Sequence, residues 1–123
     1  MIKFKSLNKS SEFLNILKKK KLITKYFTIY YNGFSNNLRN NTNKYLNISF
    51  VMKKNIGNAV IRNKIKRKLK SAVYKVFKEK KLIDLNRTYV IFGKNNVYED
   101  KFALIFDEVN NAFKKIKQIK NQT

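Results

Sequence analysis

Lys53-Lys54-Asn55-Ile56-Gly57-Asn58-Ala59-Val60-Ile61-Arg62-Asn63-Lys64-Ile65-Lys66-Arg67-Lys68-Leu69-Lys70 reads as the exit of a strand, a glycine turn and the start of a densely basic helix. Asn58, following Gly57, is a natural cap, because its side-chain oxygen can accept from an unpaired first-turn N–H. At about 100° per residue, Ile61, Ile65, Leu69, Ala72 and Val76 fall on one stripe. Asn63, Arg67 and Lys70 project almost opposite, flanked by Lys64 and Lys66. One face of this helix docks on a core and the other is cationic.

Working outward, Tyr45 to Met52 alternates Leu46, Ile48, Phe50 and Met52 with Tyr45, Asn47, Ser49 and Val51, the pattern of a strand with one face on a core. Leu22 to Tyr31 is rich in β-branched and aromatic residues and predicts another strand, with Phe27, Ile29 and Tyr31 on one side and Tyr26, Thr28 and Tyr30 on the other. Thr88 to Phe92 predicts a third. Asn8, Ser10 or Ser11 can cap a short helix whose apolar side is Phe13, Leu14, Ile16 and Leu17, ended by the Lys18 to Lys21 run. Asn32 to Asn43 reads as a loop. A final helix from about Glu99 to Ile119 spaces Phe102, Ile105, Phe106, Val109, Phe113 and Ile116 for packing.

The charge is lopsided. The chain has 123 residues, with 29 Lys plus Arg against 7 Asp plus Glu, a net charge of +22. No acidic residue lies between Phe13 and Lys78, so the positive field belongs to the first two-thirds of the chain. A hydrophobic content of 43% is enough for a real core, which excludes a disordered polycationic tail. A folded body this positive repels itself unless a polyanion supplies counter-charge, and nucleic acid is the first candidate. The absence of His and Cys removes imidazole acid-base chemistry, thiol nucleophiles, disulfides and nearly every zinc site. No apolar run approaches the roughly 20 residues of a membrane span, and the first residues lack a signal-peptide pattern, so the expectation is a cytoplasmic protein without a membrane role.

The basic stretch has the chemistry of a phosphate reader. Arg62 and Arg67 can fork two donors onto phosphate oxygens, the lysines act as point charges, and Asn63 can both donate and accept. An ordinary solvated helix face would intersperse carboxylates at i,i+4, and this one has none. Phe27, Ile29 and Phe50 read as core. Phe13 and Tyr30 suit either core packing or an exposed cleft that stacks unpaired bases.

These residues resemble the bacterial ribonuclease P protein component. Its signature, K-K-x-G-N-A-V-x-R-N-R-x-K-R, is matched at Lys53, Lys54, Gly57, Asn58, Ala59, Val60, Arg62, Asn63, Lys66 and Arg67. Leu7-Asn8-Lys9 followed by Phe13, the stretch Phe27 to Tyr30, Thr88-Tyr89-Val90-Ile91-Phe92-Gly93-Lys94, and Tyr98 to Ile116 are similar to other parts of that family. The departures are Lys64 and Lys94 in place of Arg, Ser6 in place of an N-terminal Arg, Leu17 in place of an aromatic, and Asn55 as an extra residue before Gly57.

The resemblance implies an α+β fold, a single-domain α/β sandwich over residues 1–123 in the order αβββαβα, with an unusual left-handed β-α-β crossover. It implies the protein subunit of an RNA-based endoribonuclease that removes the 5′ leader from precursor transfer RNA. Cleavage chemistry would lie with the RNA subunit and its Mg, with no catalytic residue, metal or cofactor in the protein, and with the protein broadening substrate use. Lys53, Lys54, Asn58, Arg62, Asn63, Lys64, Lys66, Arg67, Lys68 and Lys70 would face RNA, and Phe13 and Tyr30 would line a cleft for the leader. The partners would be the catalytic RNA and the precursor leader, with one protein monomer per RNA.

Size and charge alone suit a small ribosomal or nucleoid-binding protein equally well, and only the motif separates the two. A membrane-surface role fits poorly, because the basic helix spends its apolar face on the core. A self-sufficient nuclease would need a metal-binding carboxylate cluster from Asp84, Glu99, Asp100, Asp107 and Glu108.

Overall fold

A computed structural model describes residues 3–7, 10–32, 45–80, 83, 85 and 87–120. The elements are β1 (Lys3–Lys5), α1 (Ser10–Leu17), β2 (Lys20–Ile23), β3 (Phe27–Tyr31), β4 (Tyr45–Val51), α2 (Ala59–Lys80), β5 (Thr88–Gly93) and α3 (Phe102–Lys120). From α1 onward this is the expected αβββαβα order, with β1 added in front. Asn8, most of the Asn-rich loop and Asp84 lie outside the described residues.

The five strands form one mixed sheet in the order β1-β4-β5-β3-β2. β4 and β5 are parallel neighbours, with Phe50 opposite Ile91, so a long crossover must join them, and α2 supplies it. β3 runs antiparallel to β5 and to β2, and β1 lies parallel to β4 with Phe4 opposite Leu46.

Period-2 alternation decides which sheet face is the core. Phe27, Ile29 and Tyr31 of β3, Leu46 and Ile48 of β4, and Tyr89 and Ile91 of β5 all join one buried cluster. Into it α2 sends Ile65, Leu69, Ala72, Val73 and Val76, and α3 sends Ile105, Val109, Ala112, Phe113 and Ile116. The ring of Phe113 meets Tyr89 edge-on at 5.2 Å between centroids. Ile61 is only partly buried, at the helix start. α1 packs on the opposite sheet face, across β5, β3 and β2.

Four expectations change. The run Leu22 to Tyr31 is two strands, because Thr24 closes a hairpin: its amide N–H and hydroxyl both donate to the Phe27 carbonyl, and its hydroxyl accepts from the Phe27 N–H. Lys20 and Lys21 belong to β2, so the lysine run ends α1 and then enters a sheet edge. Leu14 lies off the buried side of α1 and is 57% exposed, since the inward positions are 13, 16 and 17 at helical spacing. Phe50 is half-buried against the core instead of enclosed, stacking on Phe4 of β1.

Gly93 sets how closely the layers approach. A Cβ there would stand 2.6 Å from Met52 Sδ and 2.9 Å from Leu69 Cδ1, so its missing side chain is the space those two residues fill.

Candidate nucleic-acid interface

The basic helix is held by its own first residues. After β4, residues 54–56 make a single 3-10 turn. Gly57 follows at φ 156°, and a Cβ would sit 3.2 Å from the Ile61 side chain. That region of backbone space is essentially open to glycine alone. Asn58 Oδ1 accepts from the Ile61 N–H at 3.0 Å, and the Asn58 carbonyl accepts from the Arg62 N–H, so the expected cap is in place. Arg62 Nη1 donates to the carbonyls of Gly57, at 2.6 Å, and Lys54, at 3.3 Å. Arg62 is therefore half-buried and buttresses the turn that aims Lys53 and Lys54 outward.

Asn63, Lys66, Arg67 and Lys70 follow at spacings of three and four and are all exposed, as are Lys53, Lys54, Asn58 and Lys64. Together they form a cationic ridge on the side of α2 that faces away from the core. Lys64 Nζ lies 5.7 Å from the centre of the Tyr98 ring.

Lys68 stands apart from this ridge. Its ammonium donates to the carbonyls of Val97 at 3.0 Å, Tyr98 at 3.0 Å and Asp100 at 2.9 Å, which satisfies all three of its protons. It ties α2 to the loop before α3. In sequence it looks like its neighbours, and only the loop 29 or more residues later distinguishes it.

That loop is locked from the other side as well. Tyr26 donates its hydroxyl to Asp100 Oδ2 at 2.5 Å, and Lys94 Nζ donates to the Thr24 carbonyl. The hydrogen bond to Asp100, then burial and the Asp100 and Glu108 charges, push the Tyr26 phenol up to about 12. Burial also raises Tyr31, against the lowering effect of Arg87. Asp100, one of the carboxylates a protein nuclease would need, is thus engaged structurally. Among the described residues, no three His, Cys, Asp or Glu side chains are grouped to hold a metal ion. Nor is any described helix long and apolar enough to cross a membrane.

Phe13 and Tyr30 are both half-buried, and both lie on the sheet face away from α2 and α3. Each meets Phe92, at 6.3 Å and 5.5 Å between ring centres. Sequence reasoning assigned no role to Phe92, although alternation along β5 already put it on this face with Val90. Ser49, on the same face, accepts from the Leu7 N–H at 2.9 Å, which fixes the segment leading into α1. The cationic ridge and the aromatic face meet at the end of β4: Val51 pairs with Phe92, and Lys53 comes two residues later.

The fold, the basic crossover helix and the matched residues can be set beside known proteins. A family model described as Ribonuclease P matches residues 1–117. The chain belongs to the ribonuclease P protein family. It is 31% identical over 112 residues to the ribonuclease P protein component of Mycoplasma capricolum subsp. capricolum, covering 90% of this chain and 94% of that one. The corresponding component of Carboxydothermus hydrogenoformans is 29% identical, covering 96% of each chain.

Solved structures share the fold. A Staphylococcus aureus RNase P protein mutant with defective mRNA degradation activity superposes with a TM-score of 0.69 at 22% identity, covering 91% of this chain and 87% of that one. The RNase P protein from Thermotoga maritima gives 0.66 at 20% identity, covering 90% and 96%. As a ribonuclease P protein component, this chain serves the processing of transfer RNA 5′ ends together with the RNA subunit, which carries the cleavage chemistry.

Proposed function

We propose that the chain contributes to cleavage through binding energy, with its two faces dividing the work. The ridge of Asn63, Lys64, Lys66, Arg67 and Lys70, with Lys53, Lys54 and Asn58 at its head, lies on the catalytic RNA. Arg62 supports it from the turn, with part of its guanidinium spent on carbonyls. Lys68 acts from behind, by holding the α3 loop. Phe13 and Tyr30, joined by Phe92, hold the unpaired 5′ leader of precursor transfer RNA. Stacking on aromatic faces contributes about 1–3 kcal/mol per base and tolerates any base, which suits a leader of variable sequence.

The observation that carries this reading is the ridge itself: a helix face with no carboxylate, fixed by a buried opposite face and a capped glycine turn. The Mg ions of the reaction are those of the RNA subunit. By screening repulsion between two RNAs, the protein lowers the Mg concentration they need and raises affinity for precursor over mature transfer RNA. One protein monomer, acting as one domain in the cytoplasm, serves one RNA.

The test is cleavage of precursor by the cognate RNA subunit at low Mg, with and without the protein. Faster cleavage and tighter precursor binding with the protein are expected, and identical rates and affinities would overturn the reading. Co-purification with ribosomes or duplex DNA, without any stimulation of cleavage, would favour the architectural alternative.

A further inference from the structure

A cavity of about 540 Å³ opens between the edge strand β1 and the middle of α2, lined by Lys3, Phe4, Arg67, Lys70, Ser71 and Tyr74. Its size falls among small-ligand clefts, roughly 300–1,000 Å³. Phe4 is set by register: it pairs with Leu46 and so points to the α2 side of the sheet, where its ring lies 6.3 Å from Phe50 and 5.9 Å from Tyr74. The wall is aromatic and half-buried, whereas the rim carries three cations. The side chains of Lys3, Arg67 and Lys70 make no hydrogen bond or ion pair among the described residues.

A second groove, of about 270 Å³, lies on the α3 side of the same ridge. There Lys68 is committed to three carbonyls and Lys64 lies over the Tyr98 ring, while Arg67 stands between the two grooves and lines both. The β1 side is the larger of the two and adds Lys3 and Lys70 to the shared Arg67, beside a wall of two rings. Its complement is an anion joined to a flat aromatic group. It is also distinct from the Phe13, Tyr30 and Phe92 surface, which occupies the other face of the sheet.

We propose that this cavity receives one unstacked nucleotide of an RNA lying on the α2 ridge, its base against Phe4 and Tyr74 and its phosphate on Arg67, with Lys3 and Lys70 at the rim. The proposal rests on the reading that α2 faces RNA. A bulged or flipped-out base loses its stacking partners in the RNA, and the aromatic wall replaces them. The arginine fork can hold the attached phosphate in two places at once. The ridge would then fix the register of the RNA as well as attract it, which point charges alone cannot do.

The experiment uses the whole protein and two RNA hairpins, one with a single bulged 2-aminopurine and one fully paired. The bulged hairpin should bind about tenfold tighter, within what one stacked base supplies, and its fluorescence should be quenched on binding. Tyr74→Leu should remove both the preference and the quenching and leave affinity for the paired hairpin unchanged, whereas Lys66→Gln should weaken both hairpins equally. Should Tyr74→Leu fail to fold by circular dichroism, Phe4→Leu removes the other ring of the same wall and should abolish the preference and the quenching. Quenching that survives Phe4→Leu would place the base on the Phe13, Tyr30 and Phe92 face and overturn the assignment. Equal affinities with undiminished fluorescence would overturn the cavity assignment and leave the RNA-facing ridge standing. Binding of neither hairpin at low salt would overturn the ridge as well. Adenosine 5′-monophosphate binding as tightly as the bulged hairpin would assign the cavity to free nucleotides, against RNA.

Discussion

Cations that look alike in the sequence do different work, and stability measurements separate them. Lys68 satisfies three carbonyls between α2 and α3, so Lys68→Ala should destabilise the fold by about 1–3 kcal/mol, the cost of leaving partly buried acceptors without their donor. Lys66→Ala, at an exposed position whose side chain makes no such contact, should stay within about 0.5 kcal/mol. Denaturant midpoints measure both, and equal effects would remove the distinction. Tyr26 gives a spectroscopic handle on the same loop. Its folded pKa is raised from 10.0 to about 12, so the folded state holds that proton more tightly than the unfolded chain. The contribution to stability is therefore complete below pH 10 and is lost as pH climbs toward 12. In an ultraviolet titration of the seven tyrosines, Tyr26 should ionise among the last, and Tyr26→Phe should remove that late component.

The elements divide into those the sequence specified locally and those that depended on distant partners. The α2 stripe, the Asn58 cap and the alternation of β4 and β5 were legible because each is a periodic or local signal. The hairpin within residues 20–31 was not, since Thr24-Lys25-Tyr26 carries no Gly, Pro or Asn. The turn is made by the Thr24 hydroxyl and by Tyr26 reaching Asp100, 74 residues away. β1 is three residues long, too short for a pattern, and exists by pairing with β4. For the site, the exposed ridge was readable from helical spacing, but the diversion of Lys68 and the role of Phe92 required the loop and the sheet register. Gly93 tests the packing between elements. Gly93→Ala would drive a Cβ into Met52 and Leu69, so a loss of about 1–3 kcal/mol is expected in chemical unfolding. Met52→Ala should cost less in the Gly93→Ala background than in the unaltered protein, because the nearest clashing atoms are those of Met52. If Gly93→Ala alone is neutral, β5 and α2 are looser than the geometry says.

At the scale of the whole molecule, a charge of +22 on 123 residues sets core burial against self-repulsion, and the repulsion is concentrated where α2 presents its ridge. An anion that binds only the folded ridge stabilises it by RT ln(1 + [L]/Kd), about 2.7 kcal/mol at one hundred times Kd. General screening by salt relieves repulsion without saturating in this way, and sulfate also strengthens apolar burial at high concentration. The discriminating measurement is thus a thermal melt in dilute sulfate against chloride at matched ionic strength. Tm should rise further in sulfate and level off as the sites fill. The triple variant Lys66→Gln, Arg67→Gln, Lys70→Gln should begin with a higher Tm at low salt, having lost repulsion, and should respond almost equally to the two salts. The same variant should show a shallower fall of RNA affinity with salt, the log-log slope decreasing by about 0.7–0.9 for each phosphate contact removed. A sulfate response that survives the triple substitution would place the anion site elsewhere on the protein and separate its stability from its RNA-binding face.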